Sequence, residues 1–232
     1  LTETLDSQLI VWPEAAIPAL AQSVSNYLSI IDNATGLKSQ AVLTGIPVRD
    51  GDRLYNAAIM LGDGKGKYYK QHLVPFGEYV PLEAQLRGLI ELFDLPMSSF
   101  SSGSNNQPPL TLADWNIGMA LCYEIIFQDI VANQITGADL LVTLSNDAWF
   151  GNSIGPYQHL EIARMRALEN AIPLIRATND GISALIDHRG RITAKLGKFE
   201  QGVLSGTITA VSGETFYRQL GPLWSYFILM LI

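Results

Sequence analysis

The amino-acid sequence predicts a single-domain α/β fold in which one central sheet, or two stacked sheets, is covered by helices. Continuous apolar runs of strand length alternate with stretches whose apolar residues recur at helical spacing. Two pairs of apolar runs are joined by the turn-forming strings "RDGD" and "HRG", which mark hairpins. No internal repeat and no linker divides the 232 residues, a length that suits one large domain with a substantial core.

In chain order, Gln8 to Trp12 ("QLIVW") reads as a buried strand that ends at Pro13. "IPALAQSVSNYLSII" carries Leu20, Val24, Leu28 and Ile31 at helical spacing, with Pro18 suited to a first turn. "AVLTGIPV" and "RLYNAAIML" form a hairpin across "RDGD", and "GDGKG" turns the chain again. After Pro81, "LEAQLRGLIELF" has Leu82, Leu86, Leu89 and Phe93 on one side, an amphipathic helix, and "PMSSFSSGSNNQPP" is a polar surface loop. In the second half "WNIGMALC", "DLLVTLSN" and "PLIRATN" read as strands, with "EIIFQDIVANQI" and "PYQHLEIARMRALENA" as the helices between them. "GISALIDHRGRITAKL" closes a hairpin on His188, Arg189 and Gly190. Glu14, Cys122 and Asn146 all fall at C-terminal strand ends, the edge of an α/β sheet where ligand chemistry collects.

Composition removes several function classes. A net charge of −7 with scattered basic residues provides no footprint for nucleic acid. One cysteine rules out an intramolecular disulfide and a Cys-rich metal framework. Charged residues are 16% of the chain, below the ~25% usual in soluble domains. The chain begins at Leu1 without a signal-peptide pattern, so it is expected to start inside a longer polypeptide or after processing. From Gln219 to Ile232 it carries no charge, yet this run is shorter than the ~20 residues of a membrane-spanning helix. Trp224 and Tyr226 are residue types found at membrane interfaces. The run reads either as a terminal core element or as the start of a transmembrane span.

Several tempting motifs fail on context. "GNSIG" matches G-x-S-x-G, but Trp149 and Phe150 precede it and Pro156 follows, so Ser153 lacks the strand and helix of a nucleophile elbow. "GDGKGK" has neither phosphate-loop spacing nor a following Ser or Thr. His72, His159 and His188 are too scattered to suggest metal ligands, and neither a metal nor a cofactor is expected. "NAT" at Asn33 is a formal glycosylation sequon without other support.

Cys122 in "GMALCYEIIF" is either a small core residue or a nucleophile. As a nucleophile it sits well, because a helix expected to open behind it offers backbone N–H groups. It still needs a base and a cation. Glu14, flanked by apolar residues in "LIVWPEAAIP", is expensive to bury unless paired or protonated; its bland reading is an N-cap or first-turn acid. Lys70 in "YYKQHLVPFGEYVP" is the isolated cation, or else a solvated strand-edge lysine.

A Glu, Lys, Cys set in that chain order resembles the nitrilase (carbon–nitrogen hydrolase) superfamily, and more closely its apolipoprotein N-acyltransferase family of bacterial membrane enzymes. "WPEAAIP", "KQHLVPFGEYVP", "LCYE", "SNDAWFG" and "RMRALENAIPLIRATNDGIS" carry the likeness, which runs from about Gln8 to Ala210. The resemblance implies a nitrilase-like αββα sandwich. It also implies that Glu14 is the general base, Lys70 the oxyanion stabiliser and Cys122 the nucleophile that holds an acyl group as a thioester. Glu78, Tyr123 and Glu124 match positions the family needs for activity, and Trp149 joins them as a supporting or substrate-contacting residue; each also has a plain structural reading.

By the same resemblance the acyl donor is a phospholipid of the phosphatidylethanolamine class and the acceptor a diacylglyceryl apolipoprotein. The reaction is expected at the bacterial inner membrane, with the catalytic domain on the periplasmic side. Residues 1–218 are then the catalytic domain, and 219–232 begin a truncated transmembrane segment. The rival expectation is a soluble amidase or nitrilase of the same superfamily, and a third is a silent periplasmic scaffold that binds lipoproteins.

Overall fold

The computed structural model describes residues 6–81, 100–211, 213, 215–220 and 230. Two sheets stack face to face between layers of helix. The smaller contains β1 (Leu9–Val11), β2 (Ala41–Asp50), β3 (Arg53–Gly62) and β5 (Lys67–Tyr69), in the order β1-β2-β3-β5. The larger has seven strands: β4 (Gly64–Lys65), β6 (Leu110–Leu112), β7 (Trp115–Leu121), β8 (Leu140–Asn146), β9 (Leu174–Asn179), β10 (Ser183–Ile186) and β11 (Ile192–Leu196). Its order is β11-β10-β9-β8-β7-β6-β4. β7, β8 and β9 are parallel neighbours, joined by helical crossovers.

Side-chain alternation along the strands builds the layers. In β2, Ala41 and Leu43 face the other sheet while Val42, Ile46 and Val48 face outward, and in β8 Leu140, Val142 and Leu144 face inward with Leu141 outward. The inward residues, with Met60, Tyr68, Ile117 and Met119, make the core between the sheets. Helix α1 (Ser25–Gly36) covers the small sheet through Leu28 and Ile31. α2 (Gln128–Gln134) and α3 (Gly155–Asn170) cover the large one through Val131, Leu160, Ala163 and Ala167. This is the αββα sandwich.

The expected strands and both hairpins are present, and three expectations change. The first helix starts late: Ala21–Val24 is a 3-10 turn, Leu20 is extended, and Pro18 lies ahead of any helix. The Pro13–Ile17 stretch is instead stitched to β2, where Pro13 O accepts from Gly45 N and Gly45 O from Ile17 N. "GDGKG" does more than turn, since β4 within it leaves the small sheet and pairs with β6 of the large one. The segment after Cys122 is a 3-10 turn over Cys122–Ile126, separated from α2 by an extended Phe127 (φ −88°, ψ 111°). The amphipathic helix expected after Pro81 lies outside the described residues, as does most of 219–232. A short helix α4 (Phe216–Leu220) runs into the first two residues of the latter. Among the described residues no helix is long and apolar enough to cross a membrane.

Candidate active site

The C-terminal ends of β1, β7, β8 and β9 meet at one edge of the sandwich. Glu14 follows β1 on a tight turn whose next residue, Ala15, has φ 49°. That turn passes so close to β2 that a Cβ on Gly45 would come within 2.6 Å of both Glu14 Cα and Ala15 N. Only glycine fits there. Cys122 directly follows β7 with φ 52°, a left-handed conformation that costs a non-glycine residue about 1 kcal/mol or more and turns the chain sharply.

Lys70, which follows β5, is 1% exposed, so the solvated-lysine reading does not hold. Its ammonium lies 3.1 Å from Glu14 Oε1 and 2.9 Å from Glu78 Oε1. Asn56 Nδ2 donates to the same two oxygens, at 2.8 Å and 2.6 Å. Glu14 Oε2 accepts from the Asn146 backbone N–H (2.8 Å), Glu78 Oε2 from Val74 N (2.7 Å), and Asn179 Nδ2 donates to Glu14 O (2.8 Å). Burial works against the Lys70 charge, but Glu14, the Cys122 sulfur and Glu78 outweigh it and raise the ammonium pKa above that of an ordinary lysine. Lysine and glutamates thus form a fixed, charged cluster rather than a loose surface pair.

Cys122, half-buried as a residue, has its sulfur within electrostatic reach of this cluster. Burial and the Glu14 charge push its thiol pKa up to about 12, against the pull of Lys70, the Ser145 hydroxyl and the Asn146 backbone N–H. At neutral pH the resting group is therefore a thiol, and a base must take its proton as a bond to sulfur forms. Glu14, paired with Lys70 beside the sulfur, is placed to do so. A Glu14→Gln variant should lower the thiol pKa by removing a repelling charge while slowing catalysis. In a titration of ultraviolet thiolate absorbance the native protein should remain thiol until the pH nears 12, and the variant should turn at lower pH. An unshifted titration would contradict the coupling. Because the folded pKa lies above the ordinary thiol value of 9.0, the thiol's stabilising contribution is complete below pH 9.0 and is lost as pH rises toward about 12.

Glu124 is fully buried, unlike an ordinary first-turn acid. Its Oε1 accepts from Gln71 N (2.5 Å) and His72 N (3.0 Å), and its Oε2 from Leu121 N (2.7 Å) and Tyr68 Oη (3.0 Å). One carboxyl group thus ties the stretch after Lys70 to the elbow that carries Cys122. Burial lifts its pKa to about 7 against the three backbone donors. The Tyr123 ring packs edge-on against Phe127 (centroids 5.1 Å) and near His72 (5.7 Å), beside the extended backbone at Phe127.

Trp149 (77% exposed), Phe150, Ile154 and Tyr157 leave a large apolar surface on the segment after β8, and Phe76 and Tyr79 do so on the "VPFGEYVP" segment. A cavity of about 1120 Å³ is lined by Leu9, Val11, Ile117, Leu140 and Ile175, and Glu14, Lys70 and Cys122 do not take part in its lining. Glu14, Lys70 and Cys122 lie instead just past the ends of β1, β5 and β7. Among the described residues no group of His, Cys, Asp or Glu is arranged to hold a metal.

The sequence reading passed over Asn56 and a buried set made of Ser145, Asp147, His159 and Arg176. The arginine was the available signal: in "PLIRATN" it interrupts a buried parallel strand, where a charge must have a partner.

The model of the family described as carbon-nitrogen hydrolase matches residues 2–217. A protein from Azotobacter vinelandii named apolipoprotein N-acyltransferase is 50% identical over 214 residues, which is 90% of this chain and 42% of that protein. One of the same name from Vibrio cholerae is 50% identical over 226 residues, 93% of this chain and 45% of that protein. The chain therefore spans less than half the length of these curated relatives. Among solved structures, a carbon-nitrogen hydrolase from Helicobacter pylori G27 superposes with a TM-score of 0.67 at 16% identity, over 87% of this chain and 77% of its own. An amidase from Nesterenkonia sp. gives 0.65 at 21% identity, over 97% and 84%. A mutant of the Nesterenkonia amidase carries the acetamide moiety of fluoroacetamide at its active-site cysteine, and covers 85% of this chain and 76% of its own at 21% identity and a TM-score of 0.62. These likenesses carry the fold.

Proposed function

The chain belongs to the carbon–nitrogen hydrolase family, and on that footing we propose that it is the catalytic domain of an N-acyltransferase acting on apolipoproteins. The observation that supports the reading is the buried Lys70–Glu14 pair at 3.1 Å, whose two charges both reach the Cys122 thiol. Transfer to an amine, rather than hydrolysis, is favoured by the 50% identity to proteins bearing the acyltransferase name.

In this reading Cys122 Sγ attacks the ester carbonyl of a phospholipid while Glu14 takes the thiol proton. The oxyanion is held by the Lys70 ammonium and the Tyr123 backbone N–H, a role worth about 3 kcal/mol per donor. Collapse breaks the ester C–O bond, Glu14 returns the proton to the leaving alkoxide, and lysophospholipid departs. The α-amino group of a diacylglyceryl-cysteine then attacks the thioester, losing a proton to Glu14, and the second collapse regenerates the Cys122 thiol and leaves an amide. Glu78 and Asn56 hold Lys70 in place, and Glu124 holds the elbow. Trp149 and its apolar neighbours supply the lipid-facing surface.

Residues 1–218 are the catalytic domain in this reading, and 219–232 the start of a membrane-spanning segment. The site of action is the periplasmic face of the bacterial inner membrane, with a phosphatidylethanolamine-class donor. The solved amidases keep hydrolysis as the second reading. Partition of the acyl group separates the two. With the intact protein in bilayers, adding a diacylglyceryl-cysteine peptide should shift product from free fatty acid to N-acyl peptide; release as free acid whatever the amine concentration, with turnover of small amides, would establish the hydrolase.

A further inference from the structure

Beneath Cys122 lies a buried polar chain that no step above uses. His159, on α3 and 4% exposed, has its Nε2 3.1 Å from the Cys122 carbonyl oxygen. A carbonyl can only accept, so Nε2 carries a hydrogen and donates it. The opposite ring nitrogen, Nδ1, lies 3.0 Å from Asp147 Oδ1 and 3.2 Å from Arg176 Nη2. Asp147 is fixed in turn by the Ser145 hydroxyl (2.8 Å) and by Arg176 Nη2, which donates to Oδ2 at 2.6 Å. A Cβ on Gly181 would come within 2.2 Å of that same oxygen, so the backbone itself closes the carboxylate's remaining side. The imidazole is thus locked in plane, and its one outward hydrogen bond goes to the nucleophile's own peptide group.

That peptide is trans, since the described chain contains no cis bonds. In a trans peptide the C=O and the following N–H point to opposite sides. Turning the Cys122 carbonyl inward to His159 therefore turns the Tyr123 N–H away from the buried imidazole. A hydrogen bond accepted at the carbonyl also polarises the amide and strengthens its N–H as a donor. The left-handed φ of 52° at Cys122 makes the peptide plane costly to hold without such a tether.

We infer that His159, clamped by Asp147 and Arg176, is a positioning residue that fixes the Cys122–Tyr123 peptide plane and aims the Tyr123 N–H at the oxyanion formed on the carbon attacked by Cys122. The inference rests on the acyl-transfer reading of the site. It concerns oxyanion stabilisation and leaves the nucleophilicity of the sulfur alone.

Two substitutions separate this from simple packing. His159→Gln places an amide nitrogen near the Nε2 position, where it donates to the Cys122 carbonyl. His159→Asn places one near Nδ1, where it donates to Asp147 Oδ1 but does not reach the carbonyl. In the intact protein, single-turnover acylation of Cys122 by a phospholipid ester and its alkylation by iodoacetamide are compared, since alkylation forms no oxyanion. The expected result is acylation slowed about 100-fold in His159→Asn and within about fivefold of native in His159→Gln. Alkylation should stay within about threefold in both. Equal acylation rates in the two variants, or acylation and alkylation falling together, would overturn the inference. If native Cys122 accepted no acyl group from any ester or amide, the acyl-transfer reading would fail and the inference with it. Native acylation with an unimpaired His159→Asn would sink the inference alone.

Discussion

Cys122→Ala is expected to abolish acyl transfer, with a loss of about 10⁴-fold or more in kcat, while the fold survives. Both halves follow from the structure. The sulfur is the only thiol in the chain, and it lies within electrostatic reach of both Glu14 and Lys70. The change removes a single atom from a half-buried residue at a left-handed position, and alanine already occupies that region here at Ala15, Ala113 and Ala171, with φ of 49°, 49° and 47°. The thermal midpoint should therefore move by only a few degrees. Cys122→Ser should be nearly as inactive, because a hydroxyl is harder to deprotonate than the thiol and Glu14 is then asked for more. Acyl transfer surviving in Cys122→Ala would remove the nucleophile from the mechanism.

Lys70→Met is expected to damage activity and stability together. The ammonium separates two carboxylates, with Glu14 at 3.1 Å and Glu78 at 2.9 Å, and Asn56 alone cannot neutralise them. Methionine matches the length of the lysine stem but leaves the two acids facing each other in a buried site. Removing one partner from such a cluster costs about 3–5 kcal/mol. Part of this is relieved when one of the two acids takes up a proton, so the variant should be least stable at high pH and recover as pH falls. The missing oxyanion donor should lower kcat by about 10²–10³-fold on top of that. Urea unfolding at several pH values, read beside single-turnover acylation, checks both. A variant with native stability and activity would mean that the cluster is neither structural nor catalytic.

The sequence was most informative where structure is local. β1, β7, β8 and β9 appear as apolar runs closed by turn residues, and the β2–β3 hairpin as two such runs across "RDGD". Local pattern failed where a distant partner decides the geometry. Helical spacing ran straight through Leu20 and Phe127, yet Leu20 is extended at the end of the segment that brings Glu14 to β2, and Phe127 turns toward His72 and Tyr123. Glu14, Lys70 and Cys122 could be named as chemically unusual residues in apolar settings and then ordered by a family resemblance. Asn56 could not, because an asparagine in a strand carries no sign that it will bridge two glutamates from other parts of the chain. His159 was set aside because its spacing suits no metal; its partners, Asp147, Arg176 and the Cys122 carbonyl, come from three different elements. Pairing across elements leaves no periodic trace in a single sequence.

The claim on which the rest depends is that Cys122 takes an acyl group from a lipid ester. It is tested by incubating the intact protein with phosphatidylethanolamine vesicles in the absence of any amine acceptor, then measuring intact mass and mapping the modified peptide. The expected result is a single fatty-acyl adduct on Cys122, labile to hydroxylamine and absent from Cys122→Ala. An unmodified Cys122 in a protein that nevertheless acylates added diacylglyceryl-cysteine peptide would contradict it.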